Sequence, residues 1–279
     1  MVNRCGFENP LEHLIIYNEL STFNKVYSSG FTSVNTKDRK GQSLIHLASE
    51  RGYEHFIHIL ARCGCTMINN CDNKGLSPLD YAIINRNISI ISTLVLYGAE
   101  LNKHLLITIL KNNEYKILRV LFLYYDLSHV LFNKNESMVF LAASYGHLKI
   151  IKILVKYGYA MITTRNDDGL NPLHIAAARG HINIIEYLSS IMGSQCEQLD
   201  NHRRTPLFYA LHYNEYHCAY ILKILYGTKD TYIDTLPNMH VEFLDAHISD
   251  EHRLSTRHRI YFSRHLFDML IYDNIYYVD

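Results

Sequence analysis

The sequence predicts an all-α chain of about seven stacked helix-turn-helix units, closed by a helical C-terminal segment. Three observations lead there. Anchor positions recur at a step of 34 residues: Glu12, His46 and Asp80, then Phe140, His174 and Phe208. An alanine follows two places after every anchor but the first: Ala48, Ala82, Ala142, Ala176 and Ala210. Behind each pair comes a run of Ile and Leu at three- and four-residue spacing, as in Ile150, Ile151, Leu154 and Ile184, Ile185, Leu188, which is the pattern of an amphipathic helix. Self-similarity at a fixed period marks a repeat architecture, in which each unit buries its apolar face only against its neighbours.

The elements of a unit follow in order. Ser77-Pro78, Asn171-Pro172 and Thr205-Pro206 start first helices, because the polar side chain caps and proline tolerates the first turn. The alanines let paired helices approach closely. Gly52, Gly146 and Gly180 end the first helix where a left-handed cap is needed, and Gly64, Gly98 and Gly158 close the second. The step from Asp80 to Phe140 is irregular. It contains LLITILKNNEYKILRVLFLYY, two apolar stretches split by Asn112 and Asn113, so a shortened fourth unit anchored near Leu106 or Ile107 fills it. The first unit reads as a cap with a partly polar outer face (Glu12, Asn18, Glu19). Arg203 stands where the last unit should have a turn glycine, so that turn is expected to be strained or different.

Composition narrows the classes. The chain has 279 residues, with 27 Lys+Arg against 27 Asp+Glu, and no basic excess of the kind a nucleic-acid coat carries. No apolar run reaches the length of a membrane span. The start lacks the layout of a secretory signal, and the six irregularly spread cysteines read as reduced thiols, which together predict a cytoplasmic site, or the host cytoplasm or nucleus for an effector that acts in a host cell.

The stretches NDDGLNPLHIAAARGHINIIEYL, CDNKGLSPLDYAIINRNISIISTLVLYGAELN and KDRKGQSLIHLASERGYEHFIHIL carry a further pattern. Together they resemble the ankyrin repeat over roughly residues 6 to 228. The resemblance implies a solenoid with short β-hairpin fingers between units, and His174 hydrogen-bonding between loops of adjacent units. Residues 1–228 would be repeats, with the first and fourth degenerate. The fourth lacks the Asp-x-x-Gly and Thr-Pro-Leu-His half, so its finger is expected to be short or missing. Residues 229–279 would be a helical cap or tail, with helices at about 239–248 and 257–272.

The resemblance also implies the function: binding a protein partner through a concave face and the finger tips, without catalysis and without a cofactor or small-molecule substrate. Carried onto this chain, the finger positions are Arg39, Lys40 and Gln42; Asn73, Lys74 and Leu76; Asp167, Asp168 and Leu170; and Asn201, His202 and Arg204. The first-helix positions are Glu50 and Arg51; Ile84 and Asn85; Ser144 and Tyr145; Ala178 and Arg179; and His212 and Tyr213. The first two fingers are basic, the Asp167–Asp168 finger acidic and the last basic again, which suggests a partner of complementary alternating charge. Tyr145 and Tyr213 are candidate anchors, since aromatics dominate interface energies.

Other chemistry has weaker support. His55, His58, Cys63, Cys65 and Cys71 lie close in sequence, but their spacing is not that of paired ligands for a structural zinc, and no metal is expected. The tail clusters His247, His252, His258 and His265 with Arg253, Arg257, Arg259 and Arg264, which reads foremost as a solvated helix face. No nucleophile elbow, phosphate loop or zinc-protease motif is present, so no enzyme is expected. The degenerate repeats are similar to those of ankyrin proteins of large DNA viruses and intracellular bacteria that target host signalling. The segment LPNMHVEFL resembles the Leu-Pro opening of F-box-like tails on viral members, which frames an alternative: an adaptor for ubiquitin ligation, recruiting through residues 229–279.

Overall fold

A computed structural model of the chain describes residues 9–30, 33–127, 129–157, 162–193 and 198–226. The expected tail, residues 229–279, lies outside them. Among the described residues the structure is helical, without a sheet, and divides into two compact units, Met1–Pro172 and Leu173–Asp279.

The first unit contains five helix pairs: α1 (Pro10–Ile16) with α2 (Leu20–Ser28), α3 (Leu44–Arg51) with α4 (Glu54–Arg62), α5 (Pro78–Ile84) with α6 (Ile88–Leu96), α7 (Lys103–Lys111) with α8 (Tyr115–Leu121), and α9 (Met138–Ser144) with α10 (Leu148–Lys156). First helices pack on first helices (α1, α3 and α5; α7 and α9), and second helices on second helices (α4, α6, α8 and α10). The second unit holds α11 (Pro172–Ala178), α12 (Ile182–Met192), α13 (Pro206–His212) and α14 (Tyr216–Tyr226), with α12 and α13 both against α14. The repeat alanines Ala48, Ala82, Ala142, Ala176 and Ala210 are fully buried, as close helix approach requires. Phe23 and Phe56 meet edge to face at 5.1 Å in the core between α2 and α4.

One backbone position defines the register. The residue that ends each first helix is left-handed seven times: Asn18 (φ 58°), Gly52 (78°), Arg86 (54°), Asn113 (56°), Gly146 (80°), Gly180 (75°) and Asn214 (62°). Placing Asn113 in this series sets the anchor of the fourth repeat at Ile107. The step from Arg86 to Asn113 is seven residues shorter than the step from Gly52 to Arg86. The shortfall is the finger. Gly98 leads through Ala99–Leu101 straight to Asn102, whose side chain caps α7 by accepting from the Leu105 N–H at 2.8 Å.

The remaining fingers share one design. A residue at the base donates its N–H to a carbonyl four residues on, at 2.9–3.0 Å: Asp38 to Gln42, Asp72 to Leu76, Phe132 to Glu136, Asn166 to Leu170, and Asp200 to Arg204. In four of the five the base residue also accepts two backbone N–H groups with its own side chain. Asp72 Oδ1 takes those of Lys74 and Leu76 at 2.8 and 3.0 Å, and Asp200 Oδ1 takes those of His202 and Arg204, both at 2.8 Å. The pairing is confined to single antiparallel bridges, Lys37 with Ser43 and Leu131 with Ser137.

Arg203 keeps this turn. It adopts φ 60° where Gly41, Gly75 and Gly169 adopt 76–81°, and its N–H donates to the Asp200 carbonyl at 3.1 Å. The turn is the same as in the Gly41, Gly75 and Gly169 fingers; the strain sits in one arginine.

Adjacent repeats are linked by buried side chains. The Ser43 N–H donates to His46 Nδ1 at 3.1 Å, so the ring proton resides on Nε2, which donates to the Leu76 carbonyl of the next finger at 3.1 Å. His174 Nε2 meets the Arg204 carbonyl at 3.2 Å in the same way, as expected. Each ring also stands edge-on to a tyrosine of the following first helix, Tyr81 and Tyr209 respectively. Asparagines form a second clasp: Asn35 and Asn69 each bond a backbone N–H and a carbonyl just after the next second helix, at Thr66 and Gly64 and at Glu100 and Gly98.

Two outcomes follow. A left-handed conformation costs an L-residue roughly 1–2 kcal/mol, partly offset by the unfolded-state entropy that glycine adds. Arg203→Gly should therefore stabilise by about 0.5–1 kcal/mol, read as a higher urea midpoint. A lower midpoint would show that the arginine side chain outweighs its backbone strain. Burial lowers the pKa of His46 below its ordinary value of 6.5. The folded state thus favours the neutral ring, so its contribution is complete above the unfolded pKa and declines as pH falls below it. The urea midpoint should drop between about pH 7.5 and about pH 5.5, and His46→Gln should shrink that drop while lowering stability at the higher pH.

Candidate functional site

Exposed positions of the first unit include the finger tips and the ends of the first helices. Arg39, Lys40, Asn73 and Lys74 are exposed, and so are Glu50, Arg51, Ile84 and Asn85. Several are tied down between repeats. Asn73 donates its N–H to the Lys40 carbonyl at 2.9 Å and its Nδ2 to the Arg39 carbonyl at 3.0 Å, so the first two fingers are bonded to each other. A Cβ at Gly41 would sit 2.5 Å from Asn73 Oδ1, which leaves that position to glycine on space as well as on φ. Asn85 Nδ2 donates to the Glu50 carbonyl at 2.9 Å.

Gln42 is not available to a partner. It is only 7 % exposed, and its Nε2 donates to Tyr81 Oη at 2.8 Å. Tyr81 in turn donates to Asp72 Oδ2 at 2.7 Å, so Gln42 belongs to a buried chain of hydrogen bonds between repeats. Burial and the Asp72 carboxylate push the Tyr81 hydroxyl up to about 12. Leu76 and Leu170 are half-buried, and the Leu76 carbonyl is the acceptor for His46.

The acidic finger is paired. Asp168 lies 3.4 Å from Lys134 Nζ, and Asp167 Oδ1 accepts from Asn135 Nδ2 at 2.6 Å. The Asp167 N–H also bonds the Lys134 carbonyl at 3.0 Å, the counterpart of the Asn73 link. Lys134 and Asn135 were not among the residues picked out from the sequence. Their finger has Phe132 at its base and no Asp-x-x-Gly. It turns through two left-handed residues instead, Lys134 (φ 56°) and Asn135 (59°). The run Asn133-Lys134-Asn135 ahead of the Ser137 cap is the turn signal that marks it. Ser144 and Tyr145 are half-buried at the end of α9, with the Tyr145 ring 6.3 Å from His147.

In the second unit Arg179, Asn201, His202, His212 and Tyr213 are exposed, whereas Ala178 is half-buried. Arg204 is half-buried and serves the fold: its Nε meets Asp200 Oδ2 at 2.8 Å and its guanidinium lies over the rings of Phe208 and Tyr209, at 5.5 and 4.9 Å. Burial raises the pKa of Asp200. The Tyr209 hydroxyl, the Arg204 and His202 N–H groups and the guanidinium outweigh it and bring the carboxyl down to about 2. Phe208, His212 and Tyr213 form an aromatic run, stacked and then edge-on at 5.8 and 5.0 Å, ending in Tyr213 at 55 % exposure. Tyr213 thus presents an exposed ring beside the stacked Phe208 and His212.

The residues considered for zinc do not converge. His55 bonds Asn18 and His58 bonds Tyr97, at 2.8 and 2.9 Å, and the Cys63 carbonyl accepts from the Tyr27 hydroxyl. Among the described residues no group of three or more His, Cys, Asp or Glu side chains comes together as a metal site would. No helix among them is long and apolar enough to cross a membrane.

Comparison with known proteins gives a consistent picture. The family model for ankyrin repeats (three copies) matches residues 10–104, 105–196 and 139–231. The chain is 26 % identical to the mouse nuclear factor NF-kappa-B p105 subunit over 155 residues, which is 55 % of this chain and 13 % of that protein. It is 26 % identical to alpha-latrocrustotoxin-Lt1a of Latrodectus tredecimguttatus over 118 residues, 42 % of this chain and 6 % of the toxin. The Notch-regulated ankyrin repeat-containing protein of Xenopus tropicalis matches at 51 % over 43 residues, 15 % of this chain and 37 % of that one. The chain thus spans a minor part of the length of each of these relatives. The ankyrin repeat domain of Bcl-3, described as a unique member of the IkappaB protein family, aligns with a TM-score of 0.61 at 19 % identity, covering 73 % of this chain and 94 % of that domain, a likeness of fold. The repeated left-handed caps, the fingers and the family model agree: the chain belongs to the ankyrin-repeat family.

Proposed function

We propose that this chain is a non-catalytic scaffold that captures a protein partner on its finger tips and first-helix ends and holds it in the cytoplasm of the cell in which it acts. Ankyrin repeats are protein–protein interaction modules. The observation that carries the reading is a division of labour within each finger. Asp72, Asp200, Tyr81 and Tyr209 are buried in bonds that hold the turns, while Arg39, Lys40, Asn73, Lys74 and His202 beside them are exposed on that rigid base. Side chains held on a preorganised backbone lose little freedom on binding, and this favours recognition. The degenerate repeats further suggest that the partner is a host signalling protein.

Affinity purification from cells, with the full chain and with a 1–228 truncation, tests the proposal by mass spectrometry. A partner retained by both forms supports the scaffold. Loss of a ubiquitin-ligase component with the truncation would favour the adaptor reading. With that partner in hand, Arg39→Glu combined with Lys40→Glu should weaken capture about tenfold, chiefly through slower association, with the thermal midpoint nearly unchanged. Unaltered affinity would remove these fingers from the binding surface.

A further inference from the structure

In the first unit, acidic and basic side chains of the finger edge stand in different surroundings. Asp38 and Asp72 turn their carboxylates back onto their own loops, where Asp38 Oδ1 accepts the N–H groups of Lys40 and Gln42, both at 2.8 Å. Asp167 and Asp168 are taken by Asn135 and Lys134. Arg39, Lys40 and Lys74 are exposed, and so is Lys103 at the start of α7, whose Nζ donates to the Leu131 carbonyl at 2.8 Å. Glu50 and Arg51, of opposite sign, are both exposed at the end of α3. At the tips of the neighbouring Arg39 and Lys74 fingers the exposed charged side chains are therefore all basic. Ile84, 60 % exposed, ends α5, the helix that follows the Lys74 finger, about 10 Å along its axis.

We propose that this edge docks an acidic protein segment, laying carboxylates against Arg39, Lys40 and Lys74 and an apolar side chain on Ile84. The inference rests on the scaffold reading and names the class of partner. A polyphosphate backbone would use the same cations, but an isolated aliphatic side chain gains nothing from it. A peptide buries that side chain favourably. Asp38 and Asp72 keep their charge, but Asp72 is buried and Asp38 half-buried, so the exposed groups that meet an incoming carboxylate at these two tips are cationic.

Fluorescence anisotropy on the full chain tests this. The probe is a short fluorescein-labelled peptide of glutamates with one central leucine, compared with a leucine-to-serine version, a lysine version and a thymidine single strand of equal length. The glutamate peptide should bind, more weakly as salt rises, and the lysine peptide should not. Lys40→Glu with Lys74→Glu should weaken binding about tenfold, and the corresponding glutamine pair by less. Ile84→Ser should weaken the leucine peptide several-fold and leave the serine peptide unchanged. Absence of glutamate-peptide binding, indifference to the lysine substitutions, or equal binding of the thymidine strand would each overturn the proposal. A partner captured from cells whose binding ignores Lys40→Glu and Lys74→Glu would overturn the acidic class and leave the scaffold standing.

Discussion

The exposed edge of this protein depends on one oxygen-bearing side chain at the base of a finger. A five-residue loop between helices has too few backbone bonds of its own to hold a shape. Asp72 supplies the missing acceptors: one oxygen takes the N–H groups of Lys74 and Leu76, and the other takes the hydroxyl of Tyr81. Burial alone would push that carboxyl up. The donors around it reverse the direction and hold it below its ordinary value. Asp200 and Tyr209 repeat the arrangement in the second unit, with Arg204 added. Because Tyr81 comes from the first helix and Gln42 from the previous finger, turn geometry and stacking of repeats are one network.

That network explains what could be read from the chain. The anchors at a 34-residue step, the buried alanines and the glycines at first-helix ends were legible because each has a local cause: a cap, a close approach, a positive φ. The bond of His174 to the next finger was legible through the resemblance to the ankyrin repeat. The finger built on Phe132 was not. Its turn is made by Lys134 and Asn135 in left-handed conformations, and asparagine tolerates that region without the glycine that signals it. Arg86 and Arg203 hide the same conformation behind an arginine, which neighbouring bonds hold in place.

The site residues were less legible than the fold, and for one reason. Whether a finger side chain is available depends on a residue one repeat away. Gln42 looks like a tip residue until Tyr81 arrives beside it; Asp167 and Asp168 look like an acidic patch until Lys134 and Asn135 do. Pairings of residues about 34 apart leave no trace in local pattern, because each partner has an independent local justification.

Charge shows the consequence most clearly. Equal numbers of acidic and basic residues argue against a strongly polar surface only if both signs are equally exposed. In the Asp38 and Asp72 fingers they are not. A carboxylate is the better finger base, since it accepts several N–H groups at once, whereas lysine and arginine can only donate. In the Asp38 and Asp72 fingers the turn therefore draws the acid inward and leaves the neighbouring Lys40 and Lys74 outside, so the hydrogen-bonding needs of the backbone set the sign of the exposed charge at these two tips.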